Sequence, residues 1–253
     1  MLNIAINTFK EIVRNKFLYL ILFFAFIFII FSIWLGKLTI WDDDKIIVDF
    51  GLAMIEIFGL VGVLFTGTQL LYKEIEWKTI FLILSKPIKR YEFILWKFLW
   101  FSATILLIIL FQSILFLIVL WMKEVAITHL IVFSLLFTYL KLEIVLALVF
   151  FFSTFMGNML TILITLMIYF LSHSFSLLLD MAIRSQNTFT QYFVQTLQLL
   201  FPPFEALNIK DVIGSFTNFH PNFFLFNSAY SLVYLSLLLL WTILIFNKKR
   251  FEN

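Results

Sequence analysis

Apolar residues fall along this chain in long unbroken runs, such as FLYLILFFAFIFIIF from Phe17, separated by shorter polar segments. A helix needs roughly 20 consecutive apolar residues to cross the hydrocarbon of a bilayer. A barrel strand would instead alternate apolar and polar positions over about ten residues. The runs here are continuous, so the pattern predicts helices. They divide into six spans: Phe17–Leu35, Phe50–Leu71, Phe93–Trp121, a fourth between His129 and Phe155, Met159–Leu179, and Ser228–Phe246. The expected fold is all-α, a single polytopic membrane domain over residues 1–253.

The polar segments add four expectations. Within residues 1–16, Asn3, Asn7, Lys10, Glu11 and Arg14 share one side of a helical wheel, and Leu2, Ile6, Phe9 and Val13 the other. That is an amphipathic interfacial helix rather than a signal peptide, since no small-residue cleavage site follows. The fourth span carries Lys141 and Glu143 near its middle, where a charge costs at least about 2.5–3.5 kcal/mol. The reading therefore favours a break, with Ile127–Leu140 as an outer interfacial or re-entrant helix and the crossing from Leu142 to Met156. Gly157-Asn158 is a minimal turn, making a tight hairpin of spans four and five. The segment 180–227 reads as outer, with the amphipathic TQYFVQTLQLLF stopped by Pro202-Pro203 and an ordered corner at FPPFEALNIKD.

Orientation follows from Lys and Arg. With the N-terminus inside, twelve of them lie in inner segments, including Lys10, Arg14, Lys16, Lys248, Lys249 and Arg250; five (Lys37, Lys45, Lys123, Arg184, Lys210) lie outside, with Lys141 unassigned. Both termini are expected in the cytosol. Composition agrees with membrane burial: 63% of residues are hydrophobic and 13% charged, against about 25% charged in soluble domains. Mean hydropathy is +1.06. There is no cysteine, which excludes disulfides and thiolate metal sites.

One inner segment is too long and too charged for a turn. Tyr72–Glu92 reads YKEIEWKTIFLILSKPIKRYE, with an apolar series threaded between its charges. Ile75, Thr79 and Leu82 can share a helical face, and Glu74 and Lys78 can pair at i,i+4. Pro87 disfavours helical geometry at Lys86 and separates the element from the third span. The plain alternative is an inner loop whose cations only set topology.

The matching positions Lys73, Glu74, Glu76, Thr79, Leu84, Ser85, Lys86, Pro87, Arg90, Glu92 and Lys97 resemble permease subunits of ABC type-2 transporters. The closest resemblance is to the branch containing the permease of the nitrous-oxide reductase maturation system. Asp49-Phe50-Gly51-Leu52-Ala53, the six-span layout and the FPPFEALN corner also resemble that branch. Trp96 and Trp100 stand where the family often has Gly, and Trp77-Lys78 where it commonly has Gly or Arg before the Thr. The resemblance implies a cytosolic coupling helix over 72–90 that docks into a separate ABC ATPase subunit through Lys73, Glu74, Glu76, Thr79, Leu84, Ser85, Lys86, Pro87 and Arg90. It further implies a second permease copy or paralogue, a prokaryotic plasma membrane, and export.

No phosphate-binding loop is present: the G-x-x-x-x-G from Gly62 to Gly67 lies inside a span and is followed by Thr68 rather than Lys. The chain is therefore expected not to be an enzyme, to hold no cofactor or metal and to bind no nucleic acid, with membrane lipids around it. His129, His173 and His220 are not at ligand spacing. Intramembrane polar groups are candidates for a substrate path: Glu56, Gln112, and Thr161 with Thr165 on one face of the fifth span. Glu56 is the most expensive to bury, and Lys141 is a plausible partner. The plainer reading is that these groups bond between helices or to nearby carbonyls, and a third is that they face a wet outer cavity. A rival function is a non-transporting subunit that passes ATP-driven motion to an extracytoplasmic partner. A secondary transporter would show repeated, interrupted spans in its two halves, and none is evident.

Overall fold

A computed structural model describes residues 16–37, 43–76, 89–185, 187–210, 213 and 221–248. Among them are eight helices and no strand: α1 (Lys16–Gly36), α2 (Asp43–Glu76), α3 (Arg90–Met122), α4 (His129–Ser153), α5 (Asn158–His173), α6 (Phe175–Arg184), α7 (Thr188–Leu200) and α8 (Pro221–Lys248). Four of them, α2, α3, α4 and α8, are long and apolar enough to cross a membrane, and α5 with α6 makes a fifth if the bent pair is one span. The α1 helix adds a shorter apolar stretch, Leu22–Gly36. The interfacial helix expected over 1–16 lies, apart from Lys16, outside the described residues.

Helices α2, α3 and α4 alternate in direction. Asp44, Val125, Thr128 and Ile213 line one cavity at one end of the bundle. At the other end Arg90 Nη1 donates to the Asn247 carbonyl at 3.2 Å and Phe93 stacks on Phe246. That second end, where α2 stops at Glu76 and α3 begins at Arg90, is called the charged end below.

Helix α4 is the axis of the bundle. Of the residues in its apolar stretch 72% are buried within the chain, against 17% in α8. The rest of α8 faces outward, as lipid contact permits. Close packing at the axis relies on two glycines. A Cβ at Gly51 would fall onto the Phe116 ring of α3, and one at Gly59 onto Leu142 of α4. Small residues at such points let helix backbones approach.

The expected break in the fourth span is not there. Helix α4 runs unbroken from His129 to Ser153 with Lys141 and Glu143 both buried. Lys141 has no need to snorkel to a surface, because a carboxylate from α2 meets it at 2.8 Å. The break comes instead in the fifth span, where α5 and α6 meet at 49° around Ser174. Side chains take up carbonyls there: Ser174 Oγ donates to Phe170 O at 3.0 Å, and His173 Nδ1 lies 3.0 Å from Tyr169 O. Such local bonds compete with the helical ladder. The Ser176 N–H freed by the bend is taken by Glu205, which accepts it at 2.8 Å. The hairpin of α4 and α5 is as expected, joined by residues 154–157 with Gly157 as N-cap.

Beyond α6, α7 lies against it through Phe175, Ala182 and Val194. It ends at Leu200, before Pro202. The corner that follows is a folded plug rather than a surface loop: Phe204, Leu207 and Ile209 are buried in the main core with α2, α3 and α4. Turn bonds hold it, from Leu207 N to Pro203 O and from Asn208 N to Glu205 O.

Candidate functional site

The corner carries a cation into the bundle. Glu56, on α2 about 20 Å from the start of that helix by its rise per residue, is almost wholly buried. Its Oε1 accepts from Lys141 Nζ of α4 at 2.8 Å and from the Tyr169 hydroxyl of α5 at 2.6 Å. Its Oε2 accepts from Lys210 Nζ at 3.0 Å. His173 Nε2 stands 3.7 Å from Oε1. One carboxylate thereby joins three helices and the corner.

Local sequence explains each arrival. Thr165, Tyr169 and Ser172 follow one another at i+4 and i+3, so α5 turns a single polar face inward. Phe204 wedges the corner in place, its ring 5.3 Å from that of Tyr169 and 5.7 Å from that of His173. Ile209 is buried beside it, and Lys210 can then reach down to Glu56.

Desolvating an ion costs several kcal/mol, and attraction offsets this only when geometry is good and the remaining lone pairs are bonded. Glu56 meets those conditions with three short donors on two oxygens. Two lysines for one carboxylate give the group an excess of positive charge, with Lys141 2% and Lys210 25% exposed.

The other intramembrane candidates divide. Thr161 and Thr165 are fully buried on the face that presents Tyr169, and their hydroxyls have no hydrogen-bond partner. Gln112 is buried on α3 and neither of its amide atoms is bonded; it does not join the Glu56 group. The sequence reading paired Glu56 with Lys141, as the structure does. It missed Tyr169, His173 and Lys210. Extending the Thr161–Thr165 spacing by four residues points to Tyr169; nothing local in the sequence marks Lys210, which comes from a segment 154 residues away from Glu56.

At the charged end, α2 continues as helix through Lys73, Glu74 and Glu76. Thr79, Leu84, Ser85, Lys86 and Pro87 lie outside the described residues, as does the proposed face of Ile75, Thr79 and Leu82 beyond its first member. The chain is described again from Lys89, whose N–H donates to Glu92 Oε2 at 3.3 Å and so caps α3. No family model matches this chain, and no curated protein matches its sequence.

Proposed function

We propose that this chain is the membrane-spanning permease subunit of an ATP-driven transporter of the ABC type-2 kind, acting in export. It has six spans and cytosolic termini, and docks a separate ATPase through residues 72–90. A second permease copy or paralogue completes the path across the membrane, with Thr161, Thr165 and Gln112 offering polar groups along it. The observation that carries this reading is the position of the charged segment between α2 and α3. At 34 and 33 residues these helices are each about 50 Å long, against a hydrocarbon core of roughly 30 Å. Helix α2 therefore passes unbroken from apolar sequence into Lys73, Glu74 and Glu76, and displacement of the segment moves a rigid rod rather than a loop.

A second reading is favoured by the Glu56 group. The same rod runs about 30 Å from Glu76 back to Glu56, which holds Lys210 of the opposite corner. A push at the charged end would reach that corner without any solute crossing, as a subunit driving an extracytoplasmic partner requires.

The chain has no cysteine, so Lys78→Cys and Lys86→Cys can each be labelled with an impermeant maleimide. Labelling from the cytosolic face alone is expected. Exchanging Glu74 and Glu76 for Lys is expected to abolish co-purification of the separate ATPase subunit. Labelling from the opposite face, or an unaltered complex, overturns the docking. Solute movement in vesicles separates the transporter from the mechanical subunit.

A further inference from the structure

Two cavities adjoin where α7 and the corner meet α8. One, of 240 Å³, is lined by Ser172, Gln198, Pro202, Glu205, Asn227 and Tyr230 among others. The other, of 390 Å³, runs down α8 past Val233, Leu237 and Trp241, and shares Leu199 and Tyr230 with the first. Both are mainly apolar, but the first has Ser172, Gln198, Glu205 and Asn227 in its lining, whereas the second is lined by Leu, Val, Tyr and Trp. Tyr234, which donates from its hydroxyl to Leu200 O at 3.0 Å, holds α7 alongside α8 and fixes the groove between them.

Three features select an occupant. The apolar groove follows α8 from Tyr230 to Trp241, about 16 Å by helical rise, which is one leaflet of a roughly 30 Å core. Its side chains Leu199, Leu200, Val233 and Trp241 are more than half exposed, so an acyl chain would cover them. Ser172 is 1% exposed and lines the first cavity, and its hydroxyl has no hydrogen-bond partner. The charge in that lining is a carboxylate, Glu205, Tyr230 lines the same cavity, and no Lys or Arg is among the described lining residues. A carboxylate accepting one N–H retains lone pairs, and a tyrosine face attracts ammonium. An anionic head without an ammonium finds no described cationic partner there.

We propose that the two cavities are one site for a bilayer phospholipid whose head carries an ammonium group, as in phosphatidylethanolamine. The ammonium sits between Glu205 and Tyr230, Ser172 and Asn227 bond the head, and one acyl chain lies along α8. This site does not depend on an ATPase partner.

Native mass spectrometry of the full chain in mild detergent, titrated with phosphatidylethanolamine or phosphatidylglycerol, tests it. One phosphatidylethanolamine is expected to saturate the protein about tenfold more tightly than phosphatidylglycerol. Val233→Trp, which fills the groove, and Asn227→Leu, which removes a head contact, should each weaken that binding by about tenfold without lowering thermal stability. Equal retention of the two lipids, or unsaturable binding of many copies, overturns the proposal. So does wild-type affinity in both variants.

Discussion

Replacing Glu56 with Gln keeps the shape of the side chain and removes the anion on which two lysines converge. Lys141, 2% exposed and 2.8 Å from the carboxylate, would keep its charge in the bundle without that counter-ion. Breaking a buried ion pair from one side costs about 3–5 kcal/mol. The lower end applies, because a membrane-inserted unfolded chain also finds polar partners. Lys210 adds little, since at 25% exposure its ammonium can turn to water. The expected loss is therefore about 3 kcal/mol, over a hundredfold in the folding equilibrium. Reversible unfolding of the full chain in mixed micelles, titrated with a denaturing detergent, measures it. Lys141→Met should cost less, as Glu56 keeps Tyr169 and Lys210. The double variant should recover about 2 kcal/mol relative to the sum of the singles. A loss below about 1 kcal/mol for Glu56→Gln, or strict additivity, would refute the view that this pair ties α2 to α4.

Two further outcomes are expected. Gly51→Ala places a methyl on the buried Phe116 ring; overpacking of about 1–3 kcal/mol outweighs the roughly 1 kcal/mol that Ala adds to a helix, so thermal unfolding should fall, and a neutral or stabilised variant would contradict the packing. Glu205→Gln weakens the charged bond to the Ser176 N–H at the bend, and hydrogen exchange at that amide should speed by about tenfold while α4 amides stay protected; unchanged exchange would mean the carboxylate does not hold α6.

Helix positions were legible because a bilayer leaves little choice. Continuous apolar runs of the required length have to satisfy their own backbone groups, so α2, α3, α4 and α8 follow from composition and length alone. The α4–α5 hairpin and the stop at Pro202 follow from local chemistry as well, since proline lacks the N–H that would continue α7. The charged segment Tyr72–Glu92 announces itself by contrast with everything around it.

What the chain kept back depends on partners remote in sequence. From the neighbours of Lys141 alone, a break and an escape to the surface is the cheaper solution; a carboxylate 85 residues away makes a continuous helix the better one. Likewise Ser174 and His173 look unremarkable until Glu205 supplies the acceptor that a bent helix needs. Lys210 reads as one more outer cation until Phe204, Leu207 and Ile209 plug their corner into the core and lower it onto Glu56. Local pattern determines where a helix can exist, because its hydrogen bonds and its solvent are local. Where Lys141 can be buried is decided by tertiary structure, because the carboxylate that makes its burial tolerable is brought from another helix.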